Sequence, residues 1–188
     1  MADLLPTTKT RISLDDYFAM PETTQPTLLL DGDLITLPSG TRTHQQIVRF
    51  LIRMLEIIVD DVNGELVLSP MDVRLGEATI VQPDVFWIAP DGLCVVDDRG
   101  HYVGAPDLVA EVLSPGTERY DKSVKFALYE QHGVREYWII DPHRQQIEVW
   151  QRKADEFALF GTFDTTQTFA AAVFEGRDIA VSAMFTRL

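Results

Sequence analysis

Apolar residues recur along the chain with two periods, one helical and one extended. In "THQQIVRFLIRMLEIIVDD" they fall at Ile47, Leu51, Met54 and Ile58, and Thr43 stands three residues before Gln46. That spacing predicts a helix opened by a capping pair. "SLDDYFAMP" predicts a shorter helix, with Ser13 three before Asp16 and Pro21 as its stop. "TERYDKSVKFALYEQHG" predicts a third, closed by Gly133 at its C-cap. Elsewhere the apolar runs are short. "TLLLDGDLITLP" reads as two strands around an Asp31-Gly32 hairpin turn. Asn63-Gly64 turns the chain into "ELVLSPMDVRL", one interrupted strand or two. "QPDVFWIA", "DLVAEVLSP" and "VREYWIIDP" read as strands, and "DGLCVVDDRGHYVGAP" as a loop with room for a short edge strand. "QIEVWQR" and "EFALFGTF" read as an antiparallel pair, followed by "TFAAAVFEG" and a short C-terminal segment.

The order is α, ββ, α, several β, α, then a β tail. It predicts a mixed sheet flanked by helices, an α/β domain on the border of α+β. No repeat, low-complexity tract or linker interrupts residues 1–188, so one domain is expected.

Composition narrows the setting. Cys94 is the single cysteine, which excludes a disulfide framework and a cysteine-rich zinc site. No apolar run approaches the roughly 18 residues of a membrane span. The first residues show no basic start followed by an apolar stretch, so no signal peptide is expected and the setting is expected to be cytoplasmic. Acidic residues outnumber basic ones 29 to 16, a net charge of -13. That charge repels nucleic acid at long range, so any such partner must be met by a local basic patch or through divalent metal.

Familiar catalytic motifs are missing. There is no GxxxxGK[ST] loop, no GxGxxG after a strand, no HExxH and no GxSxG. His44, His101, His132 and His143 share no close metal-ligand spacing. What stands out is a set of carboxylates on apolar strands. Asp84 follows Pro83 at the mouth of Val85–Ile88, and Glu111 is flanked by Val109, Ala110, Val112 and Leu113. Asp84 is either a strand-end residue facing water or is held beside something positive. Glu111 is harder to explain as bland, because a glutamate is almost never fully buried unpaired. If the two strands pair, the carboxylates converge, and two hard oxygen ligands on a rigid sheet suit magnesium.

Lys125 follows Asp121 by one helical turn. A surface i,i+4 ion pair would explain it, but lysine is scarce here and two of the four fall on this one helix. His44, near the start of the long helix, has an exposed or capping role as its ordinary explanation. Tyr137 and Trp138 read as core, Asp141 as a turn residue before Pro142, and Asp107 as a strand start.

The ordered string "VQPDVFWI", "EVLSP", D-x-x-x-K and "GVREYWIIDP", with "DGDLITLP" and "THQQIVRFL" upstream, resembles the bacterial Uma-type (Uma-two) restriction-endonuclease family of the PD-(D/E)XK nuclease superfamily. The resemblance covers roughly residues 13 to 160. It implies a restriction-endonuclease-like core with a central mixed sheet and helices on both sides. It implies that Asp84 and Glu111 bind magnesium or manganese. Leu113 stands where the superfamily pattern places a lysine, so Lys125 on the following helix takes that role, oriented by Asp121. His44 matches a histidine often seen at that helix start. Leu28 stands where many members carry a glutamate before the Asp-Gly turn, so an auxiliary ligand is absent. The implied activity is metal-assisted hydrolysis of a phosphodiester in nucleic acid, DNA before RNA, with a homodimer as the expected assembly. The alternative is a nuclease-fold protein that binds or regulates without cutting.

Overall fold

A computed structural model describes residues 11–186 apart from Glu22 and Thr24; the expectation about the N-terminal leader falls outside the described residues. Helix α1 (Leu14–Phe18) opens with the expected capping box, the Asp16 N–H donating to Ser13 Oγ and the Ser13 N–H donating to the Asp16 carboxylate. Strands β1 (Thr27–Leu30) and β2 (Asp33–Thr36) form a hairpin, with Asp31 and Gly32 both at positive φ, as a tight primed turn requires.

Helix α2 (Arg42–Val62) starts two residues earlier than the Thr43 spacing suggests. Its cap is Thr41, whose extended backbone lets Oγ1 accept from the His44 N–H at 3.2 Å, the N3 position a capping side chain reaches. The helix ends at Asn63, and Gly64 is obligatory behind it. A Cβ there would lie 2.3 Å from the Ile88 carbonyl oxygen.

"ELVLSPMDVRL" is two strands, β3 (Glu65–Leu68) and β4 (Val73–Gly76), and they belong to different sheets. Then come β5 (Thr79–Val81), β6 (Val85–Ile88), the two-residue pieces β7 (Val95–Val96) and β8 (Tyr102–Val103), and β9 (Leu108–Val112). The third predicted helix begins as a π-helical turn, Tyr120–Lys125, and continues as α3 (Phe126–His132) to Gly133 in the left-handed region. Strands β10 (Glu136–Asp141), β11 (Gln146–Lys153) and β12 (Glu156–Asp164) follow. The tail is a hairpin, β13 (Thr168–Ala171) and β14 (Arg177–Ala180), then α4 (Ser182–Phe185).

The strands make two six-stranded sheets. One runs β2-β1-β5-β4-β8-β7 and the other β12-β11-β10-β9-β6-β3. In the second, β9 and β10 are parallel and every other pair is antiparallel. The architecture therefore falls on the α+β side of the expected border, with a further sheet beside the expected central one.

Alternation along the central strands sorts their side chains to two faces. Val85, Trp87, Ala110, Val112, Trp138 and Ile140 meet Ile47, Leu51 and Leu55 of α2 and the C-terminal hairpin. Phe86, Val109, Tyr137 and Ile139 meet Leu28, Val73 and Val81 of the first sheet and Tyr129 of α3. Glu111 belongs by parity to this second face. Among the described residues no helix is long and apolar enough to cross a membrane.

Candidate active site

The β6–β9 register brings the two strand carboxylates together. Val85 pairs with Ala110 and Phe86 with Val109, so one step further the antiparallel ladder sets Asp84 beside Glu111, on the same face. Asp84 is not simply a solvated strand end. Its Oδ2 accepts from the Val112 N–H at 2.8 Å and lies 2.9 Å from His44 Nε2. With Asp84 ionised, the imidazole carries its proton on Nε2 and donates it to the carboxylate. His44 is buried, not exposed, and its Nδ1 has no hydrogen-bond partner among the described residues.

Glu111 is 1% exposed and is paired. Lys125 Nζ lies 2.8 Å from Glu111 Oε1 and 3.1 Å from Asp121 Oδ1, and the Tyr129 hydroxyl donates to the same Glu111 oxygen at 2.7 Å. The Asp121–Lys125 contact is an ion pair without hydrogen-bond alignment. It is buried, which removes the surface-pair explanation. Residues 121, 125 and 129 are one helical turn apart in succession, so they project from one face onto Glu111. Tyr137 fixes the start of that row by donating from its hydroxyl to the Asp121 carbonyl at 3.0 Å.

Two carboxylates, Glu111 and Asp121, thus pair with one ammonium, and Asp84 adds to the field around it. Burial pushes the Glu111 carboxyl up to about 8; Lys125 opposes the rise, and Asp121 and Asp84 add to it. Burial likewise raises Asp121, again against the pull of Lys125. For Lys125, burial favours the neutral amine, but Asp121, Glu111 and Asp84 outweigh it and hold the ammonium above its ordinary value. Burial and the crowding of carboxylates therefore favour the protonated acid at Glu111. These residues, with His44, line a cleft of about 60 Å³.

The donor set fits a hard divalent ion. Among the described residues no group of three or more His, Cys, Asp or Glu is arranged around one point. Asp84 and Glu111 would supply two carboxylate ligands, the number magnesium takes while keeping most of its waters. Leu28 contributes nothing polar: it is fully buried between the sheets.

Other carboxylates have structural duties. Asp107 accepts from the Ala89 N–H at 2.8 Å and pairs with Arg135 at 3.0 Å. Asp141 caps its turn by accepting from the His143 and Arg144 N–H groups. Tyr129 and Gln82 are among the residues at or beside the cleft that escaped the sequence reading. Tyr129 was legible in principle, at the same four-residue spacing that selects Lys125. Gln82 lines the cleft, accepts from the Thr27 N–H at 3.0 Å and donates to Asp72 at 2.8 Å, tying β1 to the residue before β4; nothing in its position in "VQPD" announces that.

Comparison with known proteins gives the family. The Uma2 model, described as "Putative restriction endonuclease", matches residues 14–182. This chain belongs to the Uma2 family. Two uncharacterized Synechocystis proteins are similar in sequence. To sll1609 the chain is 28% identical over 136 residues, 71% of this chain and 76% of that protein. To slr1290 it is 25% identical over 131 residues, 66% and 65% respectively. A crystal structure from Anabaena variabilis, described as "a putative nuclease belonging to DUF820", superposes with a TM-score of 0.75 over 93% of this chain and 98% of that one. At 19% identity that likeness concerns the fold. The family match reaches Ser182, so the C-terminal hairpin is part of the Uma2 unit, beyond the stretch over which the sequence motifs alone were legible.

Proposed function

We propose that this Uma2 protein is a metal-dependent endonuclease that hydrolyses phosphodiester bonds of DNA. The observation that carries the reading is the meeting of Asp84, Glu111 and Lys125 in one cleft. Asp84 and Glu111 are the ligands for magnesium or manganese, which when bound supplies charge neutralisation on the phosphodiester and a more acidic water. Asp84 is aimed by the Val112 N–H and by His44. Glu111 is aimed by Tyr129. Lys125, held by Glu111 and Asp121, keeps its proton and sets a fixed ammonium beside the reacting phosphate, where it orients water and stabilises developing charge. The rival reading, a nuclease fold that binds without cutting, has Leu28 in its favour, since no carboxylate takes that place.

Plasmid conversion with manganese at low salt separates the two. The wild type nicks or degrades plasmid, and Lys125→Met slows it by roughly 10²-fold or more, with circular dichroism showing an unchanged fold. Asp84→Asn and Glu111→Gln abolish cutting. Equal residual rates in all four proteins would assign the activity to contamination and leave the binding-only reading.

A further inference from the structure

Helix α2 carries a charge pattern that neither the fold nor the cleft explains. From Leu34 to Leu55 the sequence has no aspartate or glutamate, in a chain with 29 of them. Within that stretch Arg42, Arg49 and Arg53 are all exposed. At 100° per residue the three project within about 40° of one another, over an axial length of about 16 Å. Gln45, which lines the cleft, stands about 60° from Arg42 on the same helix. The row therefore begins at the lip of the cleft and runs away from it.

Helix stability does not account for these residues. Arg42 occupies the first turn, where the positive end of the helix dipole disfavours a cation. Arg49 and Arg53 are like charges at i,i+4, which repel. Nor do local carboxylates balance them. Arg135, Arg144, Arg152 and Arg177 each meet one, Asp107, Asp141, Asp155 and Asp61. Arg42, Arg49 and Arg53 make no ion pair among the described residues. In a molecule of net charge -13 an exposed arginine has many carboxylates to find, and three aligned ones without a partner mark a face kept positive.

We propose that this face of α2 is the track for the phosphate backbone of the nucleic acid on its way into the cleft. The inference rests on the nuclease reading and adds which surface binds the substrate and in what direction the strand runs. Arginine suits the task because its guanidinium stays charged and grips phosphate oxygens in pairs. Sixteen ångströms is roughly the axial length of five base pairs, enough for three phosphate contacts on one strand. A positive row beside the cleft also resolves how so acidic a protein meets a polyanion: attraction is local, and the remaining surface repels non-productive approach.

The test reads binding apart from cutting. In the Lys125→Met background with manganese present, a fluorescent duplex oligonucleotide is titrated by anisotropy across a salt series. Replacing Arg42, Arg49 and Arg53 together by glutamine lowers the slope of log affinity against log salt by roughly two to three, about 0.9 per lost phosphate contact. Affinity at low salt falls roughly tenfold or more. A control replaces Arg144, Lys153 and Arg177 by glutamine, removing the same charge elsewhere, and leaves the slope near that of the parent. If both triple variants change the slope equally, the attraction is diffuse and the track is overturned, while a wild type that still cuts plasmid keeps the nuclease reading. If the parent does not bind and the wild type does not cut, both fall together. If the arginine variant keeps its affinity but shifts from dimer to monomer in sedimentation, the row faces a second copy of the chain, which also overturns the track.

Discussion

A glutamate inside "LVAEVL" must have partners, and Glu111 has two, Lys125 and Tyr129, converging on one oxygen. The lysine was legible because lysine is rare in this chain; the tyrosine was not, because an aromatic on an amphipathic helix is ordinarily read as packing. The surplus of carboxylates has a consequence for stability. With its folded value raised to about 8 from an ordinary 4.5, Glu111 holds a proton in the folded chain that the unfolded chain has released. Stability from that proton is complete below the ordinary value and is lost as pH rises through the folded one. Glutamine cannot titrate. In chelator, urea midpoints of Glu111→Gln should therefore gain on the wild type as pH rises from about 5 to about 9. Curves that stay parallel across that range would mean Glu111 is ionised in the fold and balanced by Lys125 alone.

Elements were legible where their period is local and misjudged where it is not. The hairpin at Asp31-Gly32, the Ser13 capping box and the Gly133 stop are local chemistry, and each stands where the sequence places it. The π-helical turn at Tyr120–Lys125 has no local signature, because the i→i+5 hydrogen-bond pattern is not written in the residue types. Glu136 is a second case. A carboxylate inside the apolar run "EYWIID", it shares the parity of Trp138 on β10 and faces away from Glu111. There it accepts from Trp138 Nε1 at 2.7 Å and the Ala172 N–H at 2.9 Å, fastening the turn between β13 and β14 to the sheet. Glu136→Ala should cost about 3 kcal/mol in urea unfolding, because these buried donors lose their acceptor, and Glu136→Gln should cost less. Plasmid cutting below the melting temperature should be unchanged by Glu136→Gln; a large loss of rate with normal stability would place Glu136 in the chemistry after all.

For the molecule as a whole, the least legible feature was which strands share a sheet. Apolar runs say that β3 and β4 are buried, not that the chain leaves one sheet between them; that depends on partners up to 45 residues away in sequence, such as Leu28 and Val73 in one cluster. The C-terminal tail was understated for the same reason. It reads as a short appendage, but Phe169, Val173, Phe174, Ile179, Val181 and Met184 are buried in the cluster on the α2 face of the central sheet. Trp87 packs on Phe174 with ring centroids 4.8 Å apart, and Trp138 on Phe169 at 5.2 Å. Asp84 and Glu111 lie on the opposite face of the same strands, while His44 and the arginine row ride on α2, which the tail helps hold in place. Burying those six side chains is worth about 10 kcal/mol or more at 1.5–3 kcal/mol each, comparable with the roughly 5–15 kcal/mol that stabilises a whole domain. A chain ending at Asp164 should therefore lose its cooperative thermal transition and bind a hydrophobic dye through the exposed α2 face. Calorimetry and dye fluorescence on the truncated and full chains measure this directly. A truncated chain with an undiminished transition would mean that α2 and the central sheet seal the core without the tail, and that the tail's buried residues add little to the fold.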